Sequence, residues 1–234
     1  MKPSVGEVLK KVQDKDPAEG MAMLAGLFPG RIVFTSSFGM EDQVITDLIF
    51  THKLDIEVVT LDTGRLFRET YKVFNKTIEK YGRHIKTYFP DTAALEKLLT
   101  EKGPYSFYES AENRRECCHI RKVEPLNRAL KDIDCWITGI RAEQSPHRDD
   151  LKLVDTDPGR DIIKYNPLLR WKTEDVKDYL KTHNVPYNIL HDKGYVSIGC
   201  EPCTRAIKPG EDFRAGRWWW ENNSSRECGL HENE

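Results

Sequence analysis

The order of apolar and polar positions predicts a chain in which strands and helices alternate. Runs rich in β-branched residues predict buried strands at residues 31–35, 56–61, 84–89 and 135–138. Apolar residues that recur every three or four positions predict helices at residues 41–50, 67–81, 93–101 and 173–183. Gly82 is expected to end the second helix, and Thr173 is expected to cap the last one. Strands separated by helices are typical of a mostly parallel sheet flanked by helices, so we expect an α/β fold.

Composition narrows the classes of protein that fit this chain. The 234 residues include 36 Lys+Arg and 38 Asp+Glu, and a formal charge of −2 argues against a nucleic-acid binder, which needs an excess of cations. No apolar run approaches the roughly 20 residues of a membrane span, and the first residues lack the apolar stretch of a signal peptide. We therefore expect a cytoplasmic protein without membrane or nucleic-acid partners. We also expect a single domain over residues 1–220 and a mobile polar tail over residues 221–234, while residues 148–160 have no assignable pattern.

Two loops follow predicted strands at their carboxyl ends, where open α/β sheets bind ligands. The first loop has small residues before a helix, which suits an anion, and consists of Ser36, Ser37, Phe38 and Gly39. The second loop has a turn glycine beside a cation and consists of Asp62, Thr63, Gly64 and Arg65. No Gly-Lys-Ser/Thr follows the first loop, which excludes a Walker loop. Taken singly, each loop also fits an ordinary turn between a strand and a helix.

The cysteines are the most informative feature of the sequence. Four of them form two close pairs, Cys117 with Cys118 and Cys200 with Cys203. Four thiolates can hold either a structural zinc ion or an iron–sulfur cluster. Adjacent cysteines point apart, which suits the separate irons of a cluster better than one tetrahedral ion. Four reduced, metal-free thiols are the remaining alternative.

Three features near these cysteines have simpler interpretations. Lys122 follows Cys118 by about one helical turn, so its charge could offset that of a cluster, although taken alone it is interpreted as a surface lysine. Cys135 lies beside apolar residues in a predicted strand and is expected to pack in the core. The run Trp218 to Trp220 is interpreted as the aromatic base of a hinge.

The last part of the chain combines a thiol with cations. Cys228 lies on a polar segment near His231, where packing gives no reason for a cysteine, so a nucleophilic or redox role is expected if cations lower its pKa. An incidental terminal cysteine is the alternative. Arg214 and Arg217 have helical i, i+3 spacing and could face one anion, and Arg141 adds a cation after another strand. This locally basic site in a near-neutral protein predicts a small polyanionic ligand.

As a set, these residues resemble the assimilatory sulfonucleotide reductases, specifically the iron–sulfur adenylyl-sulfate (APS) reductases. The matching elements span residues 36–231 and are Ser-Ser-Phe-Gly-x-Glu-Asp, Leu-Asp-Thr-Gly, Cys-Cys-x-x-Arg-Lys-x-x-Pro-Leu, Gly-x-Arg, Tyr-Asn-x-Leu-His-Asp-x-Gly-Tyr-x-Ser-Ile-Gly-Cys-x-Pro-Cys and Glu-Cys-Gly-Leu-His. The cysteine pairs together with the last motif are highly specific for this family. The nucleotide-side loops are less specific.

The resemblance implies a fold of the adenine nucleotide α-hydrolase type, in which the two loops hold adenosine 5′-phosphosulfate. It implies a [4Fe–4S] cluster, thought in this family to tune the site electrostatically rather than to carry electrons, on Cys117, Cys118, Cys200 and Cys203. Cations that neutralise the sulfate and phosphate would be Lys122, Arg141, Arg214 and Arg217, and His231 would lie near the nucleophile.

The resemblance also implies the reaction. The Cys228 thiolate would attack the sulfur of the phosphosulfate, expel AMP and form an S-sulfocysteine, and thioredoxin or a similar dithiol protein would then release sulfite. A homo-oligomer is implied as well. The alternatives are a reductase of 3′-phosphoadenylyl sulfate (PAPS), one that accepts both nucleotides, an ATP-pyrophosphatase-type adenylating enzyme with structural metal, and a nucleotide-binding regulatory module. The Ser-Gly-Gly-x-Asp-Ser loop of the adenylating enzymes is absent from this sequence.

Overall fold

The structure is a computed structural model that describes residues 2–144, 151–157 and 159–221. Its α-helices are Val5–Val12 (α1), Pro17–Leu27 (α2), Met40–Thr51 (α3), Arg68–Tyr81 (α4), Thr92–Lys102 (α5), Ala111–Cys118 (α6), Glu124–Ala129 (α7) and Thr173–Thr182 (α8). Its strands are Ile32–Ser36 (β1), Glu57–Leu61 (β2), Lys86–Tyr88 (β3), Cys135–Ile137 (β4), Val154–Asp157 (β5) and Ile162–Tyr165 (β6). A π-helical turn, His119–Val123, joins α6 to α7.

The strands form one mostly parallel sheet, which confirms the predicted fold class. Its strand order is β3-β2-β1-β4-β6-β5. Strand β4 pairs in parallel with β1, with Ile32 opposite Cys135, and in parallel with β6, with Cys135 opposite Ile163. The edge strand β5 runs antiparallel to β6. All three residues of β4 are buried, as expected for a strand with neighbours on both sides.

The chain divides into two compact units. Unit 1 comprises Met1–Val59, Arg68–Lys86 and Asp132–Ile189, and unit 2 comprises Thr60–Phe67, Thr87–Lys131 and Leu190–Glu234. The large hydrophobic core belongs to unit 1 and includes residues from α1 to α4, from β1, β2 and β4 to β6, and from α8. A smaller apolar cluster belongs to unit 2. The prediction of a single domain over residues 1–220 stays a prediction.

The strands and helices predicted from periodicity are confirmed to within two residues at each end. Gly82 follows α4 with a φ of 60°, the left-handed conformation that lets glycine end a helix. Cys135 is fully buried in β4, as expected. The prediction that Thr173 caps α8 is wrong, because Lys172 is the N-cap residue and the Thr173 hydroxyl donates to Glu143 instead.

The elements without a prediction include helices α1, α2 and α7. Strand β5 lies within the segment without a pattern, and β6 follows that segment. Arg214 and Arg217, expected at helical spacing, lie in a turn in which the Arg217 N–H donates to the Arg214 carbonyl at 2.9 Å. In the described part of the chain, no helix is both long enough and apolar enough to cross a membrane. The predicted mobile tail lies outside the described residues, apart from Glu221.

Candidate functional site

The first predicted loop connects β1 to α3 within unit 1. Gly39 is the N-cap residue of α3, so no N-cap side chain forms a hydrogen bond with the first turn of this helix. Phe38 has a φ of 61°, which is an unfavourable conformation for a residue with a bulky side chain. Its ring is buried and stacks on Phe74 with 4.8 Å between the ring centroids. Strained backbone of this kind persists only where its surroundings hold it, and it occurs most often at functional sites.

The side chain of Asp42, in the first turn of α3, organises this loop. Its Oδ2 accepts hydrogen bonds from both the backbone N–H and the hydroxyl of Ser37, each at 2.6 Å. The Ser36 hydroxyl accepts from the Phe38 N–H at 3.2 Å. Burial raises the pKa of Asp42 to about 6, although the hydrogen bonds from Ser37 act to lower it. Asp42 is therefore mostly ionised at neutral pH, and its charge is stabilised by donors of the loop.

The Gly-x-Arg motif after β4 packs against the same helix start. A Cβ on Gly139 would lie 2.2 Å from Asp42 Oδ1, so only glycine leaves room for that carboxylate. Arg141 is fully buried, and its guanidinium pairs with Glu41 at 2.8 Å and with Glu143 at 2.7 Å. It also donates to the Trp171 carbonyl and the Thr173 hydroxyl. Arg141 therefore joins three segments of unit 1, and its contact with a substrate stays a prediction.

We expect Arg141→Ala to lower the free energy of unfolding by about 3–5 kcal/mol, because Glu41 would lose its buried counter-charge. Urea unfolding followed by circular dichroism measures this loss. Arg170→Ala is the matched control, since Arg170 is exposed on a neighbouring segment and its truncation should change stability by less than about 0.5 kcal/mol. If both variants unfold at the same urea concentration, Arg141 does not stabilise the fold.

The second predicted loop lies in unit 2 and forms a tight polar turn. The Gly64 N–H donates to Asp62 Oδ1 at 2.8 Å, and Gly64 has a φ of 69°, which explains the glycine. The Arg65 N–H donates to the Thr63 hydroxyl at 3.2 Å. Arg65 also accepts a hydrogen bond at its carbonyl from the Glu201 N–H, at 2.8 Å. The turn therefore supports the backbone of the second cysteine pair.

The four predicted metal-binding cysteines come together in unit 2. Cys117, Cys200 and Cys203 are buried in its apolar cluster, and Cys118 packs against that cluster. The other buried members are Leu98, Phe107 and Trp218. The Cys200 thiol donates to the Thr63 hydroxyl at 3.2 Å. Cys117 lies at the end of α6, and Cys200 lies 83 positions later, in the segment that follows α8. The two cysteine pairs therefore come together only through folding.

Burial and nearby charges act in opposite directions on these thiols. Burial raises the pKa of Cys203 to about 12, and Cys200 and Cys117 also raise it, while Lys122 and Arg217 lower it. Burial likewise raises the pKa of Cys117, against the effect of Arg121 and Arg65. Without a bound metal, both cysteines are therefore neutral thiols at neutral pH. That Lys122 offsets the charge of a cluster stays a prediction.

Several buried N–H donors in unit 2 have no hydrogen-bond acceptor among the residues that the structure describes. These atoms are Arg65 Nη1, Arg121 Nε, Arg217 Nε and Trp218 Nε1. Buried donors normally have partners, and leaving one unsatisfied costs roughly 1–3 kcal/mol. The Arg114, Arg214 and Arg217 guanidinium carbons lie 4.8, 6.0 and 4.7 Å from the centre of the Trp218 ring. The cysteine pocket is therefore rich in cations and donors, which suits an anionic group.

The donor set fits an iron–sulfur cluster in its chemistry. Four cysteine sulfurs in an apolar pocket are the ligands that such clusters take, and donors that lack partners can bond to their sulfurs. Among the described residues, no group of three or more His, Cys, Asp or Glu side chains has the spacing to hold a metal ion. The [4Fe–4S] cluster on these four thiols therefore stays a prediction.

Three further residues of unit 2 escaped the sequence analysis. Arg121 is buried and donates from Nη1 to the Thr63 carbonyl at 2.5 Å. Arg114 forms a buried pair with Glu221, with 2.8 Å between Nε and Oε1. The positions of both arginines were a usable signal, because they lie three residues before Cys117 and three residues after Cys118. Cys228 and His231 lie outside the described residues.

Comparison with known proteins shows the family of this chain. Residues 31–206 match the phosphoadenosine phosphosulfate reductase domain. A protein of Sinorhizobium fredii (strain USDA 257) named adenosine 5′-phosphosulfate reductase is 52% identical over 94% of this chain and 88% of its own length. A protein of Neisseria meningitidis serogroup B with the same name is 50% identical over 85% of this chain and 81% of its own length.

Solved structures extend the comparison to the fold. The phosphoadenylyl-sulfate (PAPS) reductase of Candida auris, in a phosphate complex, superimposes with a TM-score of 0.74 at 29% identity, covering 88% of this chain and 99% of that one. Yeast FAD synthetase, solved with FAD, superimposes with a TM-score of 0.56 at 15% identity over 88% of this chain and 70% of that one, a likeness of fold alone. The chain therefore belongs to the phosphoadenosine phosphosulfate reductase family, together with proteins named adenosine 5′-phosphosulfate reductase.

Proposed function

We propose that the protein reduces adenosine 5′-phosphosulfate to sulfite and AMP, with thioredoxin or a similar dithiol protein as donor. The observation that carries the proposal is the match, at about half of all positions and over nearly the whole chain, to relatives that bear this activity in their names. The cation-rich cysteine pocket of unit 2 also supports the proposal, because the substrate is a polyanion.

We further propose that Cys117, Cys118, Cys200 and Cys203 hold a [4Fe–4S] cluster. The burial of Cys117, Cys200 and Cys203, the packing of Cys118 against them, and the donors that lack acceptors among the described residues support this assignment. When bound, the cluster would supply a fixed charge distribution in the pocket and keep the four thiols deprotonated. The Cys200 sulfur lies 3.2 Å from the Thr63 hydroxyl, which would donate to it once the thiol is deprotonated, so the turn Asp62–Arg65 would position one of the sulfurs.

The chemistry itself belongs to Cys228 in this proposal. Its thiolate attacks the sulfur of the phosphosulfate, the sulfur–oxygen bond to the phosphate breaks, and AMP leaves with that oxygen. The product on the protein is an S-sulfocysteine. A thiolate of the donor protein then attacks the Cys228 sulfur and releases sulfite, and the second donor thiol resolves the mixed disulfide. The dithiol thus becomes a disulfide as sulfur(VI) is reduced to sulfur(IV), which balances two electrons.

Cations make the first step feasible. A thiolate and a phosphosulfate repel each other, and buried positive charge offsets this repulsion more effectively than charge in water. We assign this role to Lys122, Arg214 and Arg217 of unit 2. Ser36, Phe38, Gly39 and Arg141 of unit 1 and the turn Asp62–Arg65 remain proposed contacts of the nucleotide, and His231 is proposed to assist Cys228.

The test is thioredoxin-dependent sulfite release from APS and from PAPS, measured side by side on protein purified without oxygen. We expect release from APS at a rate at least about tenfold higher than from PAPS, which corresponds to a difference of about 1.4 kcal/mol in transition-state binding. No sulfite from either nucleotide, with iron still bound, would overturn the proposal.

A reductase of PAPS, or of both nucleotides, is the second candidate. It is favoured by one observation, the likeness in fold and sequence to the PAPS reductase of Candida auris. Comparable rates with the two nucleotides would identify an enzyme of dual specificity, and a faster rate with PAPS would identify a PAPS reductase.

A further inference from the structure

The loop Ser36–Gly39 is expected to bind the nucleotide, but the donors of Ser37 already have an acceptor. The Ser37 N–H and hydroxyl both point to Asp42 Oδ2 at 2.6 Å. These distances lie at the short end of the range for hydrogen bonds to a carboxylate, which are stronger than bonds between neutral groups. For Ser37 to donate to a substrate, it would have to give up a strong bond to a buried charge.

The carboxylate depends on the loop in return. Asp42 is 8% exposed, and a buried carboxylate is costly unless its oxygens accept hydrogen bonds. Arg141, a buried cation of unit 1, forms its ion pairs with Glu41 and Glu143. Opening the loop would therefore leave the Asp42 charge without the Ser37 donors. Asp42 and the loop hold each other in place.

Two other features depend on this arrangement. Gly139 provides the space for Asp42, since a Cβ there would lie 2.2 Å from Oδ1. The left-handed φ of Phe38 is held between Ser37, which Asp42 fixes, and the stacking of its ring on Phe74. The motifs Ser-Ser-Phe-Gly-x-Glu-Asp and Gly-x-Arg therefore fit together as one packed arrangement in unit 1.

We infer that Asp42 is a positioning residue for nucleotide binding: it accepts the hydrogen bonds of Ser37 and so sets the shape of the loop. Ser37 then acts through Asp42 and does not contact the substrate itself. This inference rests on the proposed function, because it concerns the nucleotide that the loop would bind. It assigns a role to a residue outside the predicted site and changes the role expected for Ser37.

The test measures binding of APS and AMP, and KM and kcat for APS, on the full-length chain with its iron. Asp42→Asn should weaken binding of both nucleotides about tenfold or more and raise KM equally, with kcat little changed, because the loop binds the nucleotide equally before and during the reaction. Gly139→Ala should act in the same direction, since its Cβ displaces the carboxylate. Gly26→Ala is the matched control, because a Cβ at Gly26 meets nothing within 4 Å.

A double-mutant cycle separates the two possible roles of Ser37. Ser37→Ala keeps the backbone N–H bond to Asp42 and should weaken nucleotide binding by less than about threefold, and adding it to Asp42→Asn should cause no further loss. Hydrogen exchange of the loop amides should be faster in Asp42→Asn and Gly139→Ala than in the wild type.

The following results of the binding measurements would overturn this inference. Wild-type binding by both Asp42→Asn and Gly139→Ala would remove Asp42 from nucleotide binding. A loss of tenfold or more for Ser37→Ala, or additive losses in the double variant, would make Ser37 a direct ligand. If the wild-type protein binds neither nucleotide, the proposed function fails first and this inference fails with it. Ser37→Ala leaves the Asp42 carboxylate in place, so the inference stays falsifiable even if Asp42→Asn does not fold.

Discussion

Cys228→Ser is expected to bind adenosine 5′-phosphosulfate normally yet release sulfite at least about 10³-fold more slowly than the wild type. A serine hydroxyl is a far weaker nucleophile than a thiolate at neutral pH, and the covalent S-sulfocysteine cannot form without the thiolate. The measurement is sulfite release with thioredoxin, together with the intact mass of protein incubated with substrate and no dithiol. The wild type should gain the mass of one SO₃ group, and the variant should gain nothing.

Ser225→Ala is the matched control for this experiment. It changes a small polar side chain three residues before Cys228 and leaves every thiol in place. Its rate and its adduct should equal those of the wild type. If Cys228→Ser still releases sulfite at the wild-type rate, Cys228 is not the nucleophile of this reaction.

Cys203→Ala is expected to have the second largest effect, the loss of most of the bound iron together with activity. Protein purified without oxygen should be brown and contain about four irons and four labile sulfides per chain. Cys203 is a buried member of the cysteine pocket, so its removal takes away one ligand and leaves a cavity. Because metal binding is coupled to folding, the variant should also unfold at a lower temperature than the wild type.

Cys135→Ala provides the control, because Cys135 is fully buried in β4 and packs in the core of unit 1. It should keep its iron and sulfide and lose only about 1 kcal/mol of stability through the small cavity. One zinc ion per wild-type chain, with no labile sulfide, would refute the cluster. Equal iron in Cys203→Ala and the wild type would remove Cys203 from the ligand set.

The elements that were predictable share a physical property. Strands such as Ile32–Ser36 and Glu57–Leu61 are apolar runs, and helix Arg68–Tyr81 keeps its apolar residues on one face, so local spacing was sufficient. Helix α1 had no prediction, although the sequence contains a usable signal for it, because Ser4 and Glu7 form a capping box. Strand Val154–Asp157 was not, because it alternates apolar and acidic residues only briefly and is an edge strand that exists through its pairing with β6.

The same distinction applies to the candidate site. The cysteine pairs were evident from spacing, and their common burial in unit 2 agrees with it. The role of Arg141 was not evident, because its neutralisation by Glu41 and Glu143 depends on a contact between segments 100 positions apart. The spacing of Arg121 from Cys118 was a usable signal, but its burial against Thr63 became evident only in the fold.

Chemical identity along the chain was enough to indicate an α/β fold, a four-cysteine site and a tail thiol, because these depend on residue type and short spacing. Only the folded arrangement decided which polar groups are already occupied. Ser37 looks like a free donor in sequence, but Asp42 accepts both of its hydrogen bonds, whereas Arg217 and Trp218 have buried N–H groups without acceptors in the described part of the chain. The physical reason is that hydrogen bonding is settled by pairs of atoms brought together by folding, and a linear pattern does not specify such pairs.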